Sequence, residues 1–505
     1  LKQDITSVQL QSILDSVKDF YPETGLICLF LVLILVDLIF KKKAETILPF
    51  LTILGLLVTF CLVLHQNVET SVPQPKFLFF KFLHLNQFEV LFKMLFHISA
   101  LLFMWLILIA PFRRKHEGLI RGEFYSILVA MLLGLHLMVM ASNLVMIYLS
   151  LEIVSICSYL LTTFAFDKRS SEAGVKYILF GAFSSGLMLY GMSWFYGFTG
   201  SLQFYEPEFL TNLEMVNSWM VTAAAILILA GILFKIASVP FHLWAPDVYE
   251  AAPTPVVAFF SIAPKAAGIA VLINFIYPFY HNVPDLSPIN WKLILGIIAI
   301  ATLTIGNLAA LGQNNIKRLL AYSSIAHVGF ILIAVLGFSH FAIWTILFYL
   351  VIYLVMNFAA FGLVEFISDE IKSEDVRNFK GLGSKLPLIG VIFVVIMVSL
   401  TGLPPTAGFN AKFLAFSAIW EAYQESGDQI LLWVFIVGLL NTVIALFYYL
   451  KIPYFMFFKK AENDVQIKLN ASIKVFSLLM ILPMLVFFFK PDWLMEYLQK
   501  TILNF

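Results

Sequence analysis

Three lysines stand where a lysine is costly. Lys235, Lys265 and Lys412 lie within or against long apolar runs, in FKIASVPFHLWAPD, SIAPKAAGIAVLI and SLTGLPPTAGFNAKF. Mid-bilayer, each costs roughly 2.5–3.5 kcal/mol on insertion scales, on the order of 8–10 kcal/mol for the three before any pairing. A structural ion pair accounts for one such lysine as well as function does. Three on separate segments favour function. Glu152, within YLSLEIVSICSYLL beside Ser150, Ser155 and Ser158, is the natural anionic partner; the alternative is a neutralised structural glutamate. An ammonium taken out of water releases its proton more readily, and a nearby carboxylate opposes that release. The chemistry these residues can do together is therefore a proton relay. Glu152 and Lys235 form its coupled input, Lys265 its central store and Lys412 its exit switch. His327 bridges the last two, since imidazole titrates near neutrality; among Ser323, Ser324 and apolar neighbours it reads equally as a packing residue. Lys176, His242 and Asp247 are candidate supporting groups.

The elements that must hold these residues follow from composition. Of 505 residues, 61% are hydrophobic and 12% charged, against about 45–50% and about 25% in soluble domains. That excludes a soluble enzyme. At about 20 apolar residues per crossing, the chain supplies roughly fourteen spans. They are expected at 24–40, 46–64, 90–112, 122–141, 143–166, 175–197, 218–243, 255–279, 291–311, 319–337, 341–366, 386–423 (broken), 430–452 and 471–490. The reading is an all-α polytopic membrane protein. The net charge of +1 implies no nucleic-acid partner. Cys28, Cys61 and Cys157 each sit in an apolar run without metal or disulfide spacing. The first twenty residues mix charge and apolarity and lack the continuous apolar core of a signal peptide.

Fourteen spans put both termini on one side. Alternate connections carry Lys41, Lys42, Lys43, Arg113, Arg114, Lys115, Arg121, Lys168, Arg169, Lys317, Arg318, Lys372, Arg377, Lys380, Lys385, Lys451, Lys459, Lys460 and Lys468. The opposite connections and tails carry only Lys2, Lys18, Lys76, Lys81, Lys292, Lys490 and Lys500. The positive-inside rule then places both termini outside the cytoplasm.

Two helices are interrupted in comparable places. In the seventh, Pro240 cannot donate a hydrogen bond and frees the carbonyl of Ile236, one turn from Lys235. In the twelfth, Pro404 and Pro405, with Gly402 and Gly408, prevent a continuous helix within two turns of Lys412. Irregular backbone at membrane depth survives only when buried in protein or lining a hydrated cavity. Paired breaks beside ionisable groups point to two inverted five-helix repeats around a transport path. The expected organisation is 1–121 (N-terminal segment and three helices), 122–280 (first repeat, helices 4–8), 281–452 (second repeat, helices 9–13) and 453–505 (last helix and short tail).

At this point the residues resemble a specific family. FKIASVPFHLWAPDVYEAAPTPV (234–256), NNIKRLLAYSSIAHVGF (314–330), GLPPTAGFNAKF (402–413) and SLEIVSICSYLL (150–161) are similar to landmarks of the N-type membrane subunits of proton-pumping NADH:quinone oxidoreductase, respiratory complex I. The resemblance runs from about the fourth to the thirteenth span. It implies an antiporter-like fold of fourteen helices, with Glu152 and Lys235 as input pair, Lys265 as central and Lys412 as terminal lysine. A sister M-type subunit carries glutamate at the place of Lys412, and an L-type subunit continues into a long lateral helix. The chain departs from the family at Ala251 and Ala411, where glycine is usual, and at Pro264 directly before Lys265. The resemblance also implies no redox centre in this chain, with FMN, iron–sulfur clusters and quinone on partner subunits. Sister antiporter-like subunits, other membrane-arm subunits and lipid would be its neighbours, and protons and water its cargo. The location would be a bacterial inner membrane, multi-pass, with both termini periplasmic.

Other readings compete. A subunit of an Mrp-type sodium/proton antiporter or of a membrane-bound hydrogenase shares scaffold and lysines, though the PFHLW and PDVY pattern fits them less well. A ferredoxin-dependent photosynthetic relative is closer still. A haem between His97 and His136 would make the chain an electron carrier, although polar packing accounts for both residues better. A passive assembly scaffold is a further class.

Overall fold

The computed structural model describes residues 2–70, 76–115, 120, 122–281, 288–460 and 471–501. Of the basic residues in the orientation tally, Arg121 and Lys468 lie outside the described residues, as do the side chains of Lys2, Lys42 and Arg114.

An apolar chain in hydrocarbon must satisfy every backbone group within itself, which leaves helices as the means of crossing. The helices are α1 Lys2–Asp19, α2 Tyr21–Phe40, α3 Ala44–Glu69, α4 Gln87–Ile109, α5 Pro111–Lys115, α6 Gly122–Met140, α7 Leu144–Thr162 and α8 Lys168–Thr199. Next come α9 Pro207–Glu214, α10 Ser218–Ile236, α11 Trp244–Ala251, α12 Thr254–Phe260, α13 Ala263–His281, α14 Trp291–Leu311, α15 Ile316–Val335 and α16 His340–Ile371. The last are α17 Leu382–Lys385, α18 Pro387–Thr401, α19 Ala407–Ser426, α20 Gln429–Phe458, α21 Ala471–Phe489 and α22 Asp492–Thr501. Among the described residues one hairpin, β1 Lys76–Leu78 antiparallel to β2 Leu83–Leu85, precedes α4 with Phe77 opposite His84. Side-chain caps start many of the helices. Asn86 accepts from the amides of Phe88 and Glu89 while Glu89 reaches back to the Asn86 amide, a complete capping box. Asn143, Asp167 and Ser339 each accept from one amide at the start of α7, α8 and α16, and Asn315 accepts from two at the start of α15.

Thirteen helices among the described residues are long and apolar enough to cross a membrane, α12 and α13 counting as one. The broken pair α18–α19 supplies the further crossing expected from the sequence. α13, α15 and α16 are buried over almost all of their apolar length, whereas α2 and α20 turn most of theirs outward. Leu35, Phe50, Leu179 and Phe447 belong to that exposed apolar belt. It suits a lipid solvent, not an aqueous one. Two of these three enclosed helices, α13 and α15, carry Lys265 and His327.

The boundaries differ from expectation in an instructive way. The seventh span, expected to run to 243, stops as α10 at Ile236, because Ala237 adopts a left-handed φ of 56° and Val239–Pro240 is cis. The chain then turns and resumes as α11. The eighth, expected as one helix over 255–279, is also interrupted: Ser261 and Ile262 form a turn between α12 and α13. Pro264 thereby falls at the second position of α13, where its missing N–H is no loss.

Candidate functional site

The end of α10 is built to leave Lys235 pointing inward. The amides of Ala237 and Ser238 fold back onto the carbonyls of Phe234 and Leu233. The Trp244 indole donates to the Phe234 carbonyl at 3.0 Å, and the Val239 amide finds Thr302 Oγ1 at 3.2 Å. Backbone groups freed by the break are therefore taken up by side chains, as burial requires. Lys235, 1% exposed, donates from Nζ to Ser155 Oγ at 2.8 Å. Ser155 in turn donates to the Leu151 carbonyl. Glu152 lies one turn before Ser155 on α7, half-buried and an electrostatic neighbour of Lys235. Glu152 thus acts on Lys235 through its charge, while the hydrogen bond of the ammonium goes to Ser155.

Gly268 connects this end to the next lysine. A Cβ at Gly268 would stand 2.5 Å from Ile236 Cγ2 and 3.5 Å from Lys235 Cγ, so α10 lies against α13 where a side chain is missing, one turn from Lys265. Lys265 donates from Nζ to Ser324 Oγ on α15 at 2.8 Å and stands 5.6 Å from the Tyr249 ring centre. Three residues along α15, His327 Nδ1 meets Tyr349 Oη at 2.7 Å and Nε2 meets Tyr449 Oη at 3.0 Å. Tyr449 also hydrogen-bonds Ser323, and Tyr353 stacks on the imidazole with centroids 4.6 Å apart. Three residues further, Phe330 presents its ring to the Lys412 ammonium, 4.2 Å from the centroid. Spacings of three residues share a helix face, so α15 holds Ser324, His327 and Phe330 as a rail from Lys265 to Lys412.

Lys412 closes the row. It donates from Nζ to the carbonyl of Thr401, the last residue of α18, at 2.7 Å. A cation at a helix C-terminus meets the negative end of the dipole. Two glycines make this possible. Gly402 has a left-handed φ of 83°, and a Cβ there would stand 2.6 Å from Lys412 Cδ. A Cβ on Gly408 would stand 1.8 Å from the Ser399 carbonyl oxygen. Beside Lys412 opens a cavity of about 460 Å³ lined by Phe409, Phe413, Phe416, Trp420 and Phe435. Among the described residues no carboxylate ion-pairs with Lys235, Lys265 or Lys412. Each holds one neutral oxygen instead.

The supporting candidates fall elsewhere. Lys176 and Asp247 meet each other at 3.3 Å in a charged rim at the end of the bundle where α8 begins. There Asp247 and Glu250 share Arg318, at 2.6 and 2.9 Å, and Glu250 also takes Arg169 at 2.6 Å. Glu374, in the connection after α16, takes Lys317 at 2.9 Å. Burial works against the Glu374 carboxylate, but Lys317, Asn315 and Arg169 outweigh it and hold the group below its ordinary range. A polar cavity of about 580 Å³ opens beside this rim, lined among others by Lys115, Lys317, Asp369 and Glu374. His242 sits in the turn after Pro240 with its Nδ1 buried and unpartnered. Sequence reasoning passed over Tyr349, Tyr449 and Thr401, and the rim formed by Glu250, Arg318 and Glu374. Single tyrosines in apolar runs carry no spacing signal.

The haem alternative does not fit. The rings of His97 and His136 lie 5.0 Å apart, with Nε2 of one 3.4 Å from Nδ1 of the other. A porphyrin plane has no room between them.

Comparison with known proteins agrees with this geometry. The family model described as NADH:quinone oxidoreductase/Mrp antiporter, TM, matches residues 141–445, which span α7 to α20. NADH-quinone oxidoreductase subunit N 2 of Chloroherpeton thalassium is 39% identical over 474 residues, 92% of this chain and 91% of the relative. NADH-quinone oxidoreductase subunit N of Chlorobium chlorochromatii is 38% identical over 501 residues, 96% of each chain. Among solved structures, a chain of respiratory complex I from Thermus thermophilus superposes with a TM-score of 0.76 at 28% identity, covering 94% of this chain and 99% of that one. A chain of the Mrp complex from Dietzia sp. DQ12-45-1b shares the fold at a TM-score of 0.80 and 17% identity, covering 96% of both. The fold is thus common to oxidoreductase and antiporter complexes, while identity over nearly the full length separates them: the chain belongs to the N-subunit family of NADH-quinone oxidoreductase.

Proposed function

We propose that the chain moves protons through the membrane arm of an NADH:quinone oxidoreductase along the row Glu152–Lys235–Lys265–His327–Lys412. The observation that carries this reading is the partnering of the three buried lysines. Each ammonium is held by one neutral oxygen: Ser155, Ser324 or the Thr401 carbonyl. A buried ammonium fixed by a full ion pair would keep its proton. One held by a hydroxyl or a carbonyl retains a partner when it deprotonates, or loses only a single hydrogen bond. Charge can then be exchanged along the row without unfolding the site.

The row divides into steps that this chain's residues perform. Glu152, half-buried, sets the charge near Lys235, whose ammonium Ser155 holds. Gly268 brings the Lys235 stem within a turn of Lys265. Ser324 and His327 carry hydrogen-bonding capacity along α15, with Tyr349 and Tyr449 able to donate or accept on either side of the imidazole. Lys412 ends the row beside an open cavity. Electron transfer would take place on partner subunits carrying FMN, iron–sulfur clusters and quinone, and would reach this chain as a shift in charge near the input pair. The names of the relatives support membership of an NADH-quinone oxidoreductase, in which sister antiporter-like subunits would flank the chain. The basic residues of alternate connections support an orientation with both termini on the periplasmic side, and the bacterial relatives support an inner-membrane location.

The test is purification of a tagged copy from its native membrane in mild detergent, with in-gel NADH dehydrogenase staining and identification of what co-migrates. A large assembly with flavin and iron–sulfur proteins supports the reading. Co-migration with membrane subunits alone, no NADH activity and sodium-dependent proton exchange would overturn it in favour of an antiporter. Electron input from ferredoxin in place of NADH would overturn the donor and leave the relay.

A further inference from the structure

A second set of ionisable groups is buried away from the lysine row, on α2, α4 and α6 with Thr59 and Gln66 of α3 beside them, all before the region matched by the family model. Glu23 Oε1 accepts from Lys93 Nζ at 2.7 Å and from His136 Nδ1 at 2.8 Å. Lys93 also donates to Gln66 Oε1 at 3.0 Å, and Gln66 donates to the Asp19 carbonyl at 2.8 Å, where the cluster comes nearest the outer turn between α1 and α2. His136 Nε2 faces His97 Nδ1 at 3.4 Å. His97 Nδ1 reaches the Lys93 carbonyl at 3.0 Å and its Nε2 reaches Thr59 Oγ1 at 3.1 Å. Glu23, Lys93, His97 and His136 are all 0% exposed.

Packing alone does not require this arrangement. Glu23 and Lys93 already cancel each other's charge, so a structural pair would be complete without either imidazole. Both imidazoles are nevertheless placed in series, and Glu23 Oε2 is buried with no partner, leaving acceptor capacity unspent. The groups that face the pair are few. α2 brings Glu23, α3 brings Thr59 and the Phe60 ring, and α4 brings Lys93 and Phe96. The charges facing the imidazoles are therefore one carboxylate and one ammonium.

The hydrogen bonds accommodate two protonation states. With both imidazoles neutral, His136 donates from Nδ1 to Glu23 and accepts at Nε2. His97 then donates from Nδ1 and accepts the Thr59 hydroxyl at Nε2. Adding a proton to His97 Nε2 turns that last bond around, so that Nε2 donates to Thr59 Oγ1. The Thr59 hydroxyl has another acceptor in reach, the Gly55 carbonyl at 3.0 Å. One hydroxyl rotation admits the proton with no heavy atom displaced and no donor stranded.

We propose that His97 and His136 form a second proton-binding site, holding one exchangeable proton against Glu23 and independent of the lysine row. Its ligand is a proton delivered by water from the end of the bundle where Asp19 and Gln66 meet. The site stands on its own geometry, so it can hold or fail whichever complex contains the chain.

The test is a pH-induced infrared difference spectrum of the native assembly containing this chain, prepared with 15N-labelled histidine, in wild type, His97→Asn, His136→Asn and Thr59→Val. The expected result is an imidazole–imidazolium band in wild type that is lost in both histidine variants. Thr59→Val keeps both imidazoles but removes the oxygen that accepts from the charged form, so the band's midpoint should move to lower pH. Histidine bands that titrate identically in wild type and the histidine variants would overturn the proposal. If those variants fail to assemble, an unmoved midpoint in Thr59→Val would overturn it.

Discussion

Lys265 and Ser324 are joined by a 2.8 Å hydrogen bond from an ammonium to a hydroxyl, with no carboxylate pairing either among the described residues. This contact ties a buried lysine of the fully enclosed α13 to α15, the helix that also carries His327. Removing the hydroxyl with Ser324→Ala leaves the ammonium without its one oxygen. The expected outcome is an assembled complex with proton pumping several-fold lower in proteoliposomes, read from the quenching of a pH-sensitive dye. Unchanged pumping would make Ser324 a packing residue.

His327 depends on two phenols. Tyr349 and Tyr449 take its two nitrogens at 2.7 and 3.0 Å, and a neutral imidazole needs one donor and one acceptor there. Tyr449→Phe removes the Nε2 partner and also strands the Ser323 hydroxyl, whereas Tyr349→Phe removes the Nδ1 partner alone. Tyr449→Phe is expected to lower pumping more than Tyr349→Phe, with both variants folded by thermal-shift measurement.

The crossing of α18 and α19 has no space for a methyl group. A Cβ on Gly408 would sit 1.8 Å from the Ser399 carbonyl oxygen, and backbone cannot give way as a side chain can. Gly408→Ala should destabilise by at least the 1–3 kcal/mol usual for overpacking, on the order of that range or above. It should also lower the amount of chain recovered in the assembled complex. Gly186→Ala, where a Cβ meets nothing within 4 Å, is the control and should assemble normally.

The charged rim carries a pH signature. Glu374 has its pKa held below the ordinary value of 4.5, Lys317, Asn315 and Arg169 outweighing the opposing effect of burial. A carboxyl with a lowered folded pKa contributes stability that is complete above its unfolded pKa and is lost as pH falls through the folded value. Acidification below about pH 4.5 should therefore weaken the packing of the 372–376 segment onto α15. Glu374→Gln should flatten that dependence in hydrogen exchange at Ile316 and Val376, whose amides cross-link the two segments through the Glu374 and Asn314 carbonyls.

Much of the site was legible because its residues contradict their surroundings. Lys235, Lys265 and Lys412 in apolar runs, and Pro240, Pro404 and Pro405 in helical ones, are conspicuous in a linear reading, and the chain breaks at both proline sites. The turn at Ser261–Ile262 was silent because neither residue forbids a helix, and Pro264, its one trace, falls after the break. Glu152 was read as the anionic partner of Lys235, but which hydroxyl takes the ammonium depends on how α7 and α10 face each other. Lys176 and Asp247 are reached through connections whose folding no periodicity records. Of the Glu23 cluster the sequence offered only the pair His97 and His136, because its four groups come from three helices and nothing in the spacing links Glu23 or Lys93 to them.

The central claim is that the buried lysines carry protons. Its most direct test is proton translocation by the complete complex in proteoliposomes with Lys265→Met, which keeps the length and apolar stem and removes the ammonium alone. Assembly and electron transfer from NADH to an artificial acceptor serve as controls. The account predicts intact assembly and intact artificial-acceptor activity, with quinone-linked proton pumping reduced several-fold. Pumping at the wild-type rate in an assembled Lys265→Met complex would contradict it.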